Sequence, residues 1–502
     1  MSAPTIDVLV AAPVLAPALG AVAALAVDAI APRRRLPAPV VGAVALTLAV
    51  VCAVVLRLRA HGGGEVSTLC LTGDPALAVT DAPGMVASDC LLRVTASGAL
   101  LQALAAAAGL ATLFLLARHR GSPPESPDSR AGRPVADPGV EVALVLATVS
   151  GAAVVAVAHD LGTWLVGLEL ATLPVVALAV MRGAPRDSGA LNLITTSVTS
   201  FAIAVVGAGL WVTATGSLRL GGVASWAAGQ DASMRAVLTL GIVLLVASVA
   251  FKLSLIPFHA WAPTTYPRAG AEVAMLLASV STVAALGGMV AVVRGSVSVH
   301  PAIQPALSVL AAVSMVVGAV LALRAQDPLR LIAWSGVTQG GWVLAPLVAG
   351  DVDAAVGYLA VYVVAVVAAL SVVAALSVDG PRRLEDDRGL LRRRPLHAAV
   401  LGLALLTFAG LPPGVAGLLA KFVVLRPLAA QGLWWVALPA VVAVVIGLAA
   451  YLRWVALLLL PAPDDRTPEA VDPTATRVAV VVGLVLLSVT VVPVILLGTG
   501  TT

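Results

Sequence analysis

The sequence is poor in charged, aromatic and cysteine residues. Charged residues make up 11% of its 502 residues, against about 25% in ordinary soluble domains. Aromatic residues make up 4%, whereas apolar residues make up 60%. This composition excludes an ordinary soluble domain and predicts an all-α polytopic membrane protein. The net charge of +4 does not indicate a nucleic-acid partner, because the arginines collect in short loops, where positive charge sets membrane orientation.

The three cysteines are too few to hold an iron-sulfur cluster on this chain alone. The sequence also contains no Cys-x-x-Cys pair, no phosphate-binding glycine loop and no cluster of metal ligands. We therefore expect no cofactor and no metal on this chain. Cys52 lies in an apolar run and is interpreted as a packing residue, whereas Cys70 and Cys90 share one polar loop. Whether those two form a disulfide depends on the compartment that the loop faces.

Apolar runs of about 20 residues, separated by charged or Gly/Pro-rich breaks, predict about fourteen transmembrane helices. Their approximate ranges are 5–29, 38–57, 92–117, 139–158, 161–180, 189–213, 236–261, 271–293, 302–323, 328–349, 354–378, 398–428, 433–458 and 477–498. Below, predicted helices are numbered one to fourteen in this order.

Most arginines lie in loops on one side of this predicted bundle. These loops carry the arginines of segments 33–35, 118–133, 182–186 and 382–394. The positive-inside rule makes that side cytoplasmic and predicts both termini outside. Segments 119–138 and 461–475, rich in Pro, Asp, Ser and Arg, are predicted to be flexible cytoplasmic loops.

Two predicted helices contain proline in their interior. The seventh contains Pro257, and the twelfth contains Gly410-Leu411-Pro412-Pro413. Proline removes a backbone donor and clashes with the preceding turn, so both helices are expected to break there. Interrupted helices in corresponding halves indicate two inverted five-helix repeats, as in transporters. The predicted parts are 1–138 (helices one to three with an outer loop and a cytoplasmic linker), 139–293 (first repeat), 302–458 (second repeat) and 477–498 (last helix).

Two charged residues lie inside the predicted helices of the first repeat. Glu169 lies about 12 Å from the edge of a ~30 Å apolar core, and Lys252 lies deep in the seventh helix. Charge inside a bilayer is costly and usually marks an ion or substrate path. We expect the two to pair and to affect each other's protonation, as a proton switch requires. A static ion pair that only joins the fifth and seventh helices is the structural alternative.

Further polar candidates accompany this pair. Lys421, in the second repeat, has no acidic partner in the neighbouring helices and is predicted to be an exit-side proton carrier, with a packing role as the alternative. His259, expected at the cytoplasmic end of the seventh helix, is either a proton-passing or an interfacial residue. Asp160 is predicted to cap the fifth helix, with a place in the proton relay as the alternative. Ser281, Thr282, Thr338 and Gln339 are polar groups inside helices that hold water or bond to helix carbonyls.

Several segments together resemble a known family. They are Gly167-Leu-Glu-Leu, Lys252-Leu-Ser-Leu-Ile-Pro-Phe-His-Ala-Trp-Ala-Pro, Asp327-Pro-Leu-Arg-Leu-Ile-Ala-Trp-Ser-Gly-Val-Thr-Gln-Gly-Gly-Trp, Glu385-Asp-Asp-Arg-Gly-Leu and Ala409-Gly-Leu-Pro-Pro-Gly-Val-Ala-Gly-Leu-Leu-Ala-Lys-Phe. Over about residues 140 to 458 the chain resembles the antiporter-like membrane subunits of respiratory complex I, the NADH-quinone oxidoreductase subunit N family in particular.

This resemblance implies a proton-translocating subunit in the membrane arm of a complex in the bacterial plasma membrane. In the family, a glutamate on helix five and lysines on helices seven, eight and twelve carry protons, driven by quinone reduction in another subunit. Glu169, Lys252 and Lys421 match three of these positions. Thr282 stands where the helix-eight lysine is usual, and Gln339 where histidine or glutamine is common. NADH, FMN, iron-sulfur clusters and quinone, with menaquinone as one candidate, would be bound by partner subunits.

The departure at Thr282 leaves two interpretations open. Water held by Ser281 and Thr282 bridges the gap, or the chain is a non-pumping scaffold copy. A subunit of a multi-subunit cation/proton antiporter or of a membrane-bound hydrogenase would carry the same motifs and is a further alternative.

Overall fold

The computed structural model describes residues 7–30, 37–61, 64–71, 89–117, 137–182, 188–294, 296–378, 380–461 and 470–493. The predicted cytoplasmic loops 119–138 and 461–475, the arginines at 33–35 and both chain ends lie largely or wholly outside these residues. The described part of the chain is nearly all helical.

Nineteen helices are described. They are α1 Val8–Ile30, α2 Pro37–Arg59, α3 Ala96–Ala117, α4 Pro138–Val155, α5 Leu161–Leu170, α6 Leu173–Arg182, α7 Ser188–Thr215, α8 Val223–Ala228, α9 Ala232–Lys252, α10 Trp261–Leu276, α11 Thr282–Val293, α12 Ile303–Ala322, α13 Pro328–Val348, α14 Val352–Leu376, α15 Leu390–Arg393, α16 Pro395–Ala409, α17 Val415–Ala430, α18 Trp434–Leu459 and α19 Pro473–Val491. A π-helical turn, Leu277–Ser281, joins α10 to α11.

By length and composition, thirteen helical segments of the described chain can cross a bilayer. The half-helices α16 and α17 are each too short alone and together correspond to the predicted twelfth helix. The prediction of a polytopic helical protein with about fourteen spans is therefore confirmed. The division of the chain into two repeats remains a prediction.

One short hairpin interrupts the helical architecture. Strands β1 (Val66–Leu71) and β2 (Asp89–Val94) pair antiparallel. The third helix was predicted to begin at residue 92, but residues 92–94 belong to β2 and α3 begins at Ala96. Alternate residues of β2 are apolar and buried: Cys90, Leu92 and Val94. Such alternation is typical of a half-buried strand. Cys90 is disulfide-bonded, and Cys70 is the residue directly opposite it in the ladder; Cys52 is free and buried.

Prolines explain where the predicted seventh and twelfth helices break. A proline at position i cannot donate to the carbonyl of residue i−4 and clashes with it. Pro257 therefore ends α9 at Lys252, five residues before the proline, with Leu253 as the C-cap. Pro412 and Pro413 end α16 at Ala409, and Gly410 follows it with φ +78°.

The chain resumes differently after the first of these breaks. Residues 253–260 form turns, and α10 then contains a sharp kink at Gly270, where φ is +86°. Residues 261–269 are therefore the second half of the broken seventh helix, and the eighth begins at 271. His259 consequently lies in the break itself, and its predicted place at the cytoplasmic end of the seventh helix was wrong.

The predicted fifth helix is also broken, which the sequence analysis did not anticipate. It divides into α5, which ends at Leu170, and α6, which begins at Leu173. Pro174 leaves the carbonyl of Leu170 without its helical donor, by the same steric rule. The prediction that Asp160 caps this helix is confirmed, since its side chain accepts a hydrogen bond of 2.8 Å from the Thr163 backbone N–H.

The centre of the bundle is α14. All but three of its 25 residues are buried, and it packs against α3, α10, α13, α16, α17 and α19. By contrast, α2, α7, α18 and α19 expose leucine and valine side chains on their outer faces, as expected of helices that face lipid.

A buried charge cluster fixes one end of α18. The Arg382 guanidinium lies 2.9 Å from Asp387 Oδ1, and Trp454 Nε1 donates to Asp387 Oδ2 at 2.8 Å. Burial raises the pKa of the Asp387 carboxyl, although Arg382 and Trp454 both oppose the shift. The cluster thereby anchors Trp454 and fixes the position of α18, which also carries Tyr451 one turn earlier.

Candidate functional site

The structure brings Lys252 and Glu169 together, as predicted, but the hydrogen bond of Lys252 is made to a third residue, Thr172. Lys252 Nζ donates a 2.5 Å hydrogen bond to Thr172 Oγ1, whereas Glu169 Oε1 is 3.7 Å away. The 3.7 Å separation of Lys252 Nζ and Glu169 Oε1 allows an ion pair but is too long for a hydrogen bond. The Lys252 side chain is buried, with 6% of its surface exposed, and the Glu169 side chain is partly buried, with 14% exposed. Lys252 thus has two nearby acceptors of different charge.

The breaks in the helices create this arrangement. Lys252 is the last residue of α9, so its side chain leaves a helix end rather than a continuous helix. Thr172 lies in the gap between α5 and α6, and its hydroxyl donates at 2.6 Å to the Leu168 carbonyl. A threonine hydroxyl that donates to one group still accepts from another. Sequence reasoning missed Thr172, although Pro174 two residues later marked the break.

Lys421 lies within α17, and its side chain reaches the break in the other interrupted helix. Its Nζ donates to the Phe408 carbonyl at 2.5 Å, and only 7% of the residue is exposed. Phe408 is four residues before Pro412, so its carbonyl is the one that loses its helical donor. Each lysine of the pair is therefore held by an oxygen at a helix break.

Thr282 lies at the end of the π-helical turn of the eighth helix. Its hydroxyl donates to the Leu277 carbonyl, five residues earlier, at 3.2 Å. The preceding Ser281 Oγ is buried and has no hydrogen-bond partner among the residues that the structure describes. Short π-helical turns occur frequently at functional sites. The turn therefore presents one unsatisfied hydroxyl inside the bundle, next to the position where the resemblance led us to expect lysine.

Gln339 lies in a cluster of hydroxyl groups on α13, α14 and α18. Its Nε2 donates to Tyr451 OH at 3.2 Å, and its Oε1 accepts from Tyr358 OH. Tyr451 OH also lies 2.7 Å from Ser335 Oγ. The neighbouring Thr338 bonds to the Trp334 carbonyl within its own helix. Sequence reasoning found Gln339 but not its two tyrosines.

His259 packs against α13 from the break in the seventh helix. Its ring lies 5.3 Å from the Trp334 ring, centroid to centroid. Its Nδ1 is buried without a hydrogen-bond partner in the described part of the chain. In the described part of the chain Lys252 contacts Glu169 and Thr172, whereas Lys421 bonds to the Phe408 carbonyl, so the candidates fall into two groups, one around each lysine. Among described residues, no three potential metal ligands come together.

Comparison with known proteins places this geometry in a family. Residues 158–447 match the model of the NADH:quinone oxidoreductase/Mrp antiporter transmembrane family. NADH-quinone oxidoreductase subunit N 2 of Streptomyces griseus is 35% identical to the chain over 94% of this chain and 86% of that protein. The chain belongs to the NADH-quinone oxidoreductase subunit N family. Subunit N of Salinispora tropica is 36% identical over 94% of this chain and 88% of that protein.

Solved structures share the fold of this chain. A chain of respiratory complex I from Thermus thermophilus superposes with a TM-score of 0.75 at 25% identity, covering 97% of this chain and 98% of that chain. A chain of the Mrp complex from Dietzia sp. gives a TM-score of 0.79 at 20% identity, covering 98% of this chain and 96% of that chain. The second likeness shows a shared fold alone. The resemblance inferred from the sequence is therefore confirmed.

Proposed function

We propose that this subunit N homologue translocates protons in the membrane arm of a respiratory NADH-quinone oxidoreductase. Glu169, Lys252 and Lys421 are its proton carriers, and His259, Thr282 and Gln339 line the route between them. Quinone reduction takes place in another subunit and drives the cycle. NADH, FMN, iron-sulfur clusters and quinone are bound by other subunits.

The observation that carries this proposal is the pair of acceptors around Lys252. A static ion pair would hold the ammonium hydrogen-bonded to the carboxylate, because partial contact does not repay the desolvation of two buried charges. Instead Nζ lies 2.5 Å from the neutral Thr172 oxygen and 3.7 Å from Glu169 Oε1. A small side-chain rotation therefore exchanges a neutral acceptor for an anionic one. Such a change alters the stability of the charged lysine, as a proton carrier requires.

Membrane placement follows from the arginine distribution. We propose the bacterial plasma membrane, with both termini outside and the arginine-rich loops in the cytoplasm. The short connection that carries Arg382, the segment between α14 and α16, would then lie on the cytoplasmic side, and the hairpin β1–β2 on the outer side. An outer position suits the disulfide at Cys90, because disulfides persist in oxidising compartments.

The test is proton uptake driven by NADH oxidation in inverted membrane vesicles. Lys252→Ala should abolish the uptake attributable to this subunit while the complex still assembles. Val243→Ala, on the exposed face of the same helix α9 (45% exposed), is the matched control and should behave as wild type. Wild-type proton uptake in Lys252→Ala vesicles would contradict the proposed function.

A second candidate function rests on Thr282. A threonine that donates to its own helix carbonyl carries no proton charge, which favours a non-pumping scaffold copy. Introducing Thr282→Lys and observing uptake where the native complex shows none would support the scaffold role, and strong uptake by the native complex would remove it. Copurification of Mrp-type or hydrogenase subunits, rather than those of an NADH-quinone oxidoreductase, would instead indicate the antiporter or hydrogenase alternative.

A further inference from the structure

The end of α9 that carries Lys252 is closed by two backbone hydrogen bonds. The Ser254 N–H donates to the Phe251 carbonyl at 2.9 Å, and the Leu255 N–H donates to the Ala250 carbonyl at 2.9 Å. This pair of bonds is the Schellman motif, which places the residue after the C-cap in the left-handed region. Glycine is usual at that position, but here it is Ser254, with φ +54°. A residue other than glycine keeps this conformation only where its surroundings hold it there.

The Ile256 N–H, two residues after Ser254, is held by a different helix. It donates at 3.0 Å to the Ser314 hydroxyl on α12. Ser314 in turn donates at 2.6 Å to the Leu310 carbonyl, one turn earlier in α12. These roles are fixed, since a backbone N–H only donates and a carbonyl only accepts. Ser314 has 0% of its surface exposed, so the contact lies inside the bundle.

Helix α13 holds the other end of the same break. A Cβ at Gly340 would lie 2.7 Å from the Leu253 carbonyl oxygen, so α13 packs directly on the backbone there. Helices α12 and α13 also pack closely on each other, since a Cβ at Gly318 would stand 2.7 Å from the Thr338 backbone N. Such close contacts leave little room for adjustment, so the two helices together form one support for residues 253–256.

We propose that Ser314 is a positioning residue for Lys252. By holding the Ile256 N–H, it keeps the turn after α9 closed, and the closed turn keeps the last residue of α9 in place. That placement directs Lys252 Nζ to Thr172 at 2.5 Å, with Glu169 Oε1 at 3.7 Å. In the described part of the chain the Ser314 hydroxyl bonds to neither of these acceptors, and it acts only through the backbone that precedes Ile256.

Loss of the Ser314 hydroxyl would leave the Ile256 N–H without its acceptor. A partly buried amide without a partner is costly, so the chain shifts toward conformations in which that amide is paired again. Ser254 then returns from the left-handed region to the right-handed region that serine prefers. That change opens the two closing bonds and moves Lys252 relative to Thr172. Displacement of a reacting group by about 1 Å costs on the order of 100-fold in rate, so a small opening is sufficient.

This inference rests on the proposed function, and its test uses the intact complex in inverted vesicles. The signal is the part of NADH-driven proton uptake, per assembled complex, that Lys252→Ala abolishes. Ser314→Ala removes the hydroxyl, and Ser308→Ala is the matched control. Ser308 is also buried on α12, but the one bond of its hydroxyl in the described chain is to the Gln304 carbonyl of its own helix, at 2.7 Å. The double variant Ser314→Ala/Thr172→Val shows whether Ser314 acts through Lys252.

We expect Ser314→Ala to lower this uptake at least about fivefold and Ser308→Ala to leave it within about twofold of wild type. Thr172→Val already removes the acceptor to which the positioned Lys252 donates. The double variant should therefore stay within about twofold of Thr172→Val alone, whereas two independent structural losses would multiply. Equal uptake in Ser314→Ala and Ser308→Ala, or multiplied losses in the double variant, would overturn the inference.

The remaining outcomes separate this inference from the function on which it rests. If Lys252→Ala abolishes uptake while Ser314→Ala pumps normally, Ser314 has no positioning role and the proposed function stands. If Lys252→Ala pumps normally, the proposed function itself fails. If Ser314→Ala does not assemble, Ser314→Cys replaces it, because a thiol of similar size accepts hydrogen bonds only weakly. Ser314→Cys should then lower uptake at least about threefold, and wild-type uptake in that variant would overturn the inference.

Discussion

Substitution of Gly151 by alanine should disable the Lys252 site without touching any of its polar atoms. Gly151 lies in α4 against the gap between α5 and α6. A Cβ at this position would stand 2.2 Å from the Ala171 backbone N and 2.5 Å from the Leu170 carbonyl carbon. Both neighbours are main chain and cannot rotate away. Ordinary contact begins at 3.4 Å, so the gap must move by roughly 1.2 Å.

A shift of this size is large compared with the site. Thr172 and Glu169 lie on either side of the displaced backbone. A displacement of roughly 1.2 Å would lengthen the 2.5 Å hydrogen bond between Lys252 and Thr172 beyond the range of a hydrogen bond. Misplacement of reacting groups by about 1 Å costs on the order of 100-fold in rate. We therefore expect about a 100-fold loss of NADH-driven proton uptake, together with about 1 to 3 kcal/mol of lost stability from overpacking.

Gly209→Ala provides the control. Gly209 lies in α7, and a Cβ there meets no atom within 4 Å, so the alanine should be neutral or slightly stabilising through its helix propensity. Uptake is normalised to assembled complex, determined by native gel electrophoresis. A Gly151→Ala complex that assembles and pumps at the Gly209→Ala rate would refute the reasoning, because the gap between α5 and α6 would then not need its observed geometry.

Three further predictions concern other contacts. Thr172→Val removes the acceptor of the Lys252 hydrogen bond, worth about 1.5 to 3 kcal/mol, and should lower proton uptake at least tenfold, whereas Thr172→Ser should not. Burial raises the pKa of the Asp387 carboxyl, so the stability gained from its protonation in the folded protein is present at low pH and is lost as the pH rises through that pKa. Asp387→Asn should therefore flatten the pH dependence of the melting temperature in this range. Cys90 should react with a thiol reagent only after reduction, which mass spectrometry of labelled membranes will detect.

The overall fold followed from composition and proline positions, because long apolar runs leave helices as the main solution in lipid. The approach of Glu169 to Lys252 was predictable for a related reason, since isolated buried charges of opposite sign are expected to pair. The break between α5 and α6 was missed because Pro174 lies after the gap rather than within it. The steric effect of proline acts four residues earlier, at Leu170, and applying that offset would have found the break.

Other parts of the site depend on contacts between distant segments. Tyr451 and Gln339 are 112 residues apart in sequence, and no local pattern in α18 or α13 indicates that their side chains meet. Tyr358 and Tyr362 are four residues apart and therefore share a face of α14. This spacing was the one local pattern that indicated a cluster of hydroxyl groups. The hairpin was missed for a different reason: the alternation in β2 was absorbed into the apolar run that begins the third predicted helix.

Lys252 and Lys421 are the only lysines in the sequence, and both are buried, with side chains that bond to oxygens at helix breaks. All other basic side chains are arginine or histidine. Amine-directed reagents therefore have no exposed lysine of this subunit to modify, and a protease that cleaves after lysine meets its two sites only inside the folded bundle. Modification at either position would accordingly report the opening of the interior around one of the two proposed proton carriers.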